Sequence, residues 1–206
     1  CRSLINLEIP KGITTLNYGV FDGSGLRKVI IPEGVTSIES SAFCNCLYLN
    51  SVIIPDSVTN IGYEAFKIYE SNVVIYCNPG SYAETYAKEN NIPYSAIVKY
   101  EAEGGNIYVD EETGAICGCD GSVTSANIPS EINGVSVTSI KAGAFDGCNN
   151  LVSITIPGSI TSIEGRNIGG SYFNMCDNLT SITIEDGLIN IGDYAFDGCK
   201  SIINIE

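Results

Sequence analysis

The sequence contains no histidine and no tryptophan, and it has few basic residues. Histidine is the commonest general base, so its absence argues against most acid–base and nucleophilic catalysis. Ten Lys and Arg residues stand against 24 Asp and Glu residues, which gives a formal charge of −14. This balance disfavours nucleic acids and anionic membrane surfaces as partners. Apolar runs are too short for a membrane span, which needs roughly 18 residues, and the first residues lack the layout of a signal peptide.

The sequence does contain a strong internal repeat. Its pattern reads roughly L-x-x-I-x-I-P-x-x-V-T-x-I-x-x-x-A-F-x-x-C, and every phenylalanine of the chain occupies one position of it. The spacings between neighbouring phenylalanines are 22, 23, 79, 28 and 23 residues. The six residues are Phe21, Phe43, Phe66, Phe145, Phe173 and Phe196. A repeat of about 23 residues is typical of a solenoid, in which each copy forms one turn of a coil.

Each copy has a simple physical reading. The segment L-x-x-I-x-I alternates apolar and variable residues, which predicts a strand with one buried face. A proline ends the strand because it has no N–H to donate to the ladder. A single copy cannot bury its own apolar face, so neighbouring copies must stack. We therefore predict a mostly β coil with a parallel sheet on one face, irregular or 3-10 turns on the other, and one short capping helix.

The I-P…A-F-x-x-C spacing resembles the BspA-like leucine-rich repeats of surface proteins from anaerobic bacteria, and the resemblance covers most of the chain. It implies a leucine-rich-repeat solenoid. It also implies a secreted or surface-anchored protein, with a link to adhesion, because known members of the family have these properties. The repeat spacing itself predicts only the architecture.

A segment without repeats lies between the third and fourth phenylalanines and predicts a helix over residues 81–91. Ser81 is a suitable N-cap, and the apolar residues that follow fall on one helical face. We expect Tyr82 and Tyr86 on this face to pack onto the open end of the preceding coil, since solenoids need such caps.

The polar, glycine-rich residues 99–121 predict a small hairpin that opens a second array. We therefore expect a first array with a helical cap over residues 1–99 and a second array with a hairpin cap over residues 100–206. Cys1 and Leu4 match the end of a repeat copy, so we expect the natural protein to continue beyond the sequence.

The nine cysteines are best explained as buried thiols, because free cysteine packs like a small hydrophobic residue. The C-x-C pairs at Cys44 and at Cys117 lack the spacing of zinc sites. Five cysteines occupy the small-residue position of the repeat: Cys1, Cys46, Cys148, Cys176 and Cys199. We predict no metal and no cofactor.

Two further segments are weak candidates for ligand sites. The acidic run that begins at Asp110 lacks the spacing of a calcium loop and is predicted to be a solvated turn. The glycine-rich insertion at residues 165–170 matches neither phosphate-binding motif and is predicted to be a surface loop. We identify no catalytic residues.

The strand residues that alternation directs away from the core form a candidate partner-binding face. In the first array this face combines charges with isoleucines: Glu8, Lys28, Ile30, Ser51 and Ile53. In the second array it holds only small hydroxyl side chains: Ser153, Thr155, Ser181 and Thr183. The first face favours a non-catalytic, extracellular or cell-surface module that binds a macromolecule, namely a surface protein or glycan of host or bacterium. The second favours the alternative, a passive structural spacer.

Overall fold

A computed structural model describes residues 4–5, 7–68, 73–165, 176–196 and 199–205. The chain divides into two compact units, residues 1–96 and residues 97–206. Each unit is described by itself below.

The first unit is a coil with two parallel ladders. Its elements are β1 (Thr15–Leu16), β2 (Lys28–Ile30), β3 (Ser37–Ile38), β4 (Ser51–Ile53), β5 (Asn60–Ile61), β6 (Val74–Cys77), the helix α1 (Tyr82–Glu89) and the beginning of β7 (Tyr94–Ala102). One ladder runs β2–β4–β6 and continues into the first three residues of β7. The other, formed by two-residue strands, runs β1–β3–β5. The repeat pattern predicted irregular or 3-10 turns where these two-residue strands lie.

Proline ends the longer strands as expected. After β4, the Ile54 amide donates to the Tyr76 carbonyl at 2.9 Å, and the next residue, Pro55, has no N–H to continue the ladder. The Pro55 carbonyl then accepts from the Val58 amide at 3.1 Å and starts the turn that leads to β5. Pro32 and Val35 make the equivalent turn in the preceding copy.

The Ala-Phe segment of each copy forms the third side of the coil. Successive turns are joined here by backbone hydrogen bonds: the Phe21 amide donates to the Ala42 carbonyl at 2.9 Å, and the Phe43 amide to the Ala65 carbonyl at 2.8 Å. The residue two positions before phenylalanine has a left-handed backbone, with φ of 59° at Ser41. The segment is therefore a stack of tight turns held in register by hydrogen bonds between copies.

A phenylalanine stack fills the interior of the first unit. The ring centroids of Phe21 and Phe43 are 5.2 Å apart, and those of Phe43 and Phe66 are 5.1 Å apart, with nearly parallel planes in the second pair. The α1 residue Tyr86 closes the stack with an edge-on contact to Phe66 at 6.2 Å.

The helical cap is confirmed, and Ser81 is its N-cap, accepting from the Glu84 amide. The prediction for Tyr82 was wrong, since its side chain is 44% exposed. The buried face of α1 consists of Ala83, Tyr86 and Ala87, and Tyr82 lies at the edge of this narrow stripe.

The second unit begins with antiparallel pairing and continues as a coil. From Ile97 onward β7 pairs antiparallel with β8 (Gly105–Asp110), which pairs antiparallel with β9 (Ala115–Cys119), so the hairpin expected at this point is present. The remaining strands are β10 (Ser125–Asn127), β11 (Glu131–Ile132), β12 (Val135–Ser136), β13 (Ser139–Ile140), β14 (Ser153–Ile156), β15 (Ser162–Ile163), β16 (Ser181–Ile184), β17 (Asn190–Ile191) and β18 (Asn204–Ile205). Parallel ladders run β10–β14–β16–β18 and β9–β13–β15–β17, while β11 and β12 form a short hairpin.

The recurrence of phenylalanine at one position of every copy predicts that all six are buried between neighbouring turns, and this holds in part. Phe43, Phe66 and Phe145 are buried, whereas Phe21 and Phe196 are half-buried. The sixth, at position 173, lies outside the described residues. The predicted solenoid is therefore confirmed, with a second parallel ladder in each unit.

Candidate interaction surface

The structure brings together four of the five side chains of the predicted partner-binding face. Lys28 of β2 pairs in register with Ser51 of β4, and Ile30 pairs with Ile53. Residues paired in register on parallel strands point to the same side of the sheet, about 4.8 Å apart. Glu8 lies outside the strands and is exposed.

Most of this face is not available to a partner. Lys28, Ser51 and Ile53 are 8%, 9% and 2% exposed, and Ile30 is half-buried. Alternation correctly predicts which side of the strand each residue faces, because Val52 and Ile54 enter the core while Ile53 lies outside it. The outer side does not face solvent at Lys28, Ser51 and Ile53, so the predicted exposure of these three residues was wrong.

The reason is that this part of the sheet is covered on both faces. Tyr76, the in-register neighbour of Ile53, is also buried and also lies outside the core cluster. Parallel sheets are commonly buried on both sides, and their strands then read as continuous apolar runs. The runs V-I-I at positions 52–54 and V-V-I-Y at positions 73–76 carry this signal.

The corresponding face of the second array agrees with the alternation. Ser153 pairs with Ser181 and Thr155 with Thr183, and all four side chains are half-exposed while the residues between them enter the core. The hydroxyls of Ser125 and Ser153 are 2.8 Å apart. The outer side of this sheet therefore carries small hydroxyl side chains, paired in register from one strand to the next.

The repeat cysteines have a structural role. The Cys46 thiol donates to the Phe21 carbonyl of the preceding turn at 3.1 Å, and the Cys176 thiol donates to the Phe145 carbonyl at 3.3 Å. Burial raises the pKa of the Cys46 thiol, partly offset by the hydrogen bond from Ser24. The eight cysteines that the structure describes carry thiols. Within the described ranges there is no cluster of three or more potential metal ligands.

Asp110, in contrast, is not a solvated turn residue. It is 3% exposed, its Oδ1 accepts from the amides of Glu112 and Thr113, and its Oδ2 accepts from Lys141 Nζ at 2.5 Å. A buried carboxylate with these partners stabilises the turn between β8 and β9. Except for Gly165, the predicted glycine-rich surface loop at residues 165–170 lies outside the described residues.

Of the aromatic residues that the structure describes in the first unit, the two most exposed lie on its turn stack. Tyr18 and Tyr63 are 76% and 77% exposed. The Gly19 amide donates to the Ser40 carbonyl at 3.2 Å, and the Ser41 amide donates to the Tyr63 carbonyl at 3.1 Å. Tyr18, Ser40 and Tyr63 therefore occupy the same position on three successive turns.

Sequence analysis missed this pair, although a signal for it is present. Both tyrosines stand three residues before the phenylalanine of their copies, where the other described copies have small or acidic residues. A large aromatic side chain at a position that tolerates Ser40 and Asp193 is not needed for packing.

Polar residues lie next to the two tyrosines along the chain and in the adjoining short strands. Glu39 accepts from the Ser37 hydroxyl at 2.6 Å, and Asn60 Nδ2 donates to the same hydroxyl at 2.8 Å. The hydrogen bond from Lys67, and after it the hydrogen bond from Tyr63, hold the pKa of the Glu64 carboxyl below its usual value. The surface thus combines two exposed rings with carboxylates, an amide and hydroxyls.

Taken together, the coil, its parallel ladders and its stacked Ala-Phe turns define a leucine-rich-repeat solenoid. Six copies of the BspA type leucine rich repeat region match residues 1–96 and 113–206, and the chain belongs to this family. None of the curated proteins matches it. Among the described residues there is no helix with the length and apolarity of a membrane span.

Several solved structures are similar to the chain. A leucine-rich repeat protein from Bacteroides ovatus is 22% identical over 100% of this chain and 43% of its own, with a TM-score of 0.37. A protein from Faecalibacterium prausnitzii, described as a leucine rich cell surface protein, is 26% identical over 87% of this chain and 47% of its own, with a TM-score of 0.34. A leucine-rich repeat protein from Eubacterium ventriosum is 19% identical over 88% of this chain and 60% of its own, with a TM-score of 0.40. The chain therefore spans between 43% and 60% of these proteins.

Proposed function

We propose that this chain is a non-catalytic binding module of an extracellular or cell-surface protein, and that its partner is a macromolecule. The observation that carries the proposal is the set of exposed tyrosines on the first unit. Tyrosine supplies a large, rigid and amphipathic contact area, and it is enriched where binding energy concentrates. Among the described residues of this unit, five tyrosines are at least 40% exposed: Tyr18, Tyr48, Tyr63, Tyr82 and Tyr94.

Two further observations support the proposal. The sequence has no histidine, which removes the usual general base, so we include no catalytic activity in it. The Faecalibacterium prausnitzii protein is described as a cell surface protein, and that description supports the localisation proposed for this chain.

A passive spacer is the second candidate, and one feature of the second array favours it. The outer side of its sheet carries only small hydroxyl side chains, with Ser153 paired with Ser181 and Thr155 paired with Thr183. Small side chains of this kind offer few anchors to a partner. We propose that the second array mainly serves as a spacer.

A binding screen with a matched variant tests the proposed function. The full chain is immobilised and presented with purified extracellular-matrix proteins, mucins and defined polysaccharides. A variant with Tyr18 and Tyr63 changed to serine should lose binding, whereas a variant with Val152 and Tyr194 changed to serine should retain it. All four side chains are exposed, so both variants should keep the stability of the parent. Absence of binding to every member of the panel would favour the spacer.

A further inference from the structure

The exposed residues Tyr18 and Tyr63 have a backbone spacing that matches one class of ligand. We propose that they form a stacking platform for an extended, uncharged β-1,4-linked polysaccharide, with Asn17, Glu39 and Asn60 as hydrogen-bonding neighbours. This inference rests on the proposed function and names the chemistry of the ligand and its site.

The repeat of the coil fixes the distance between the backbones of the two tyrosines. Successive turns are joined by backbone hydrogen bonds and therefore lie about 4.8 Å apart, and the interior rings of Phe21, Phe43 and Phe66 stack with centroid distances of 5.2 Å and 5.1 Å. Tyr18 and Tyr63 are two turns apart, which places their backbones about 10 Å from each other. The backbone hydrogen bonds through Ser40 keep both residues in line along the coil.

This spacing is the repeat of an extended β-1,4-linked hexose chain. In such a chain each sugar advances by a length close to one turn of the coil, and alternate sugars present the same face because the chain turns over at each linkage. Tyr18 and Tyr63 thus meet every second sugar. Ser40, between them, leaves room for the intervening one, since its side chain is small.

The chemistry of the surface fits a sugar. One face of a pyranose ring carries several C–H groups, which pack on the electron-rich face of an aromatic ring. The hydroxyls of the same sugar both donate and accept, and the carboxylate of Glu39 and the amides of Asn17 and Asn60 provide complementary groups. Asn17 and Asn60 are exposed and Glu39 is half-exposed, so all three are available to a ligand.

Charge decides which glycans are suitable. Glu64 follows Tyr63, and Glu39 precedes Ser40 on the turn between the two tyrosines. Lys67 forms an ion pair with Glu64, and the chain as a whole carries a charge of −14. Sulfated or uronic-acid glycans would be repelled by this surface, because like charges brought together are destabilising. Uncharged chains of glucose or N-acetylglucosamine would not be repelled by this surface.

Isothermal titration calorimetry of the full chain with cellohexaose and with the β-1,4-linked hexamer of N-acetylglucosamine tests the proposal. We expect at least one of them to bind, and we expect maltohexaose, whose α-1,4 linkages curve the chain, to bind at least about tenfold more weakly. Tyr18→Ala and Tyr63→Ala should each weaken binding about tenfold, as expected for loss of one stacked ring. Tyr48→Ala is the matched control, since Tyr48 is 64% exposed on the same unit and lies at another position of the repeat.

Three outcomes would overturn the proposal. Neither β-1,4-linked hexamer binds, maltohexaose binds equally well, or Tyr48→Ala weakens binding as much as Tyr18→Ala. The proposed function would survive the first outcome if the binding screen yields a protein partner that requires Tyr18 and Tyr63, because the same surface would then serve a protein. It fails together with the glycan proposal only when the complete panel gives no binding.

Discussion

Replacement of Phe43 by alanine tests how the first unit is held together. Phe43 is fully buried and stacks on both sides, with ring centroids at 5.2 Å and 5.1 Å from those of Phe21 and Phe66. Removal of a buried phenylalanine side chain costs about 3–5 kcal/mol, because apolar contact is lost and a cavity remains. Phe21 is half-buried and has a ring partner on one side, so we expect Phe21→Ala to cost roughly half as much.

Urea unfolding followed by far-UV circular dichroism measures the loss. With a slope of about 2 kcal/mol per molar urea, a loss of about 4 kcal/mol lowers the midpoint by about 2 M. Hydrogen exchange of peptides from each unit shows where stability is lost, and peptides from the second unit serve as the internal reference. Phe43→Leu, which retains most of the volume, should cost about 1 kcal/mol. The reasoning is refuted if Phe43→Ala and Phe21→Ala lower the midpoint equally.

Three further predictions use the same unfolding assay. Gly62→Ala should cost about 1–3 kcal/mol because the new methyl group would overlap the Ser40 backbone, and a neutral effect would contradict the close approach of these turns. Tyr86→Ala should cost about 3 kcal/mol of unfolding free energy, because the side chain is buried against the phenylalanine stack. Tyr82→Ala should cost less than about 0.5 kcal/mol, because Tyr82 is exposed, and equal losses from the two variants would contradict the capping role of Tyr86. Burial raises the pKa of the Cys46 thiol, so this thiol stays protonated in the folded state at a pH where the thiol of the unfolded chain ionises. The free energy of unfolding should therefore fall as the pH rises above about 8.5. In Cys46→Ser this fall should be shallower by at most about 1.4 kcal/mol per pH unit, and an identical pH dependence would show that Cys46 makes no such contribution.

The sequence alone determined the architecture of the coil. The position of phenylalanine in each copy predicted the interior stack, and Ser81 with the apolar stripe after it predicted the capping helix. These features follow from local rules, since strand alternation, proline termination and helix capping depend on residues within a few positions of one another. Repetition then extended each local rule to the next turn of the coil.

Only the tertiary structure decided which side chains reach solvent. Alternation placed Ile53 on the outer side of its strand, but whether that side meets water depends on what covers it, and Ile53 is buried although it lies outside the core cluster. For Tyr18 and Tyr63 the variable position in the repeat is a signal of exposure, but only the structure gives its extent, 76% and 77%. Burial is a property of the assembled fold, because it depends on the contacts of a side chain with every element packed around it.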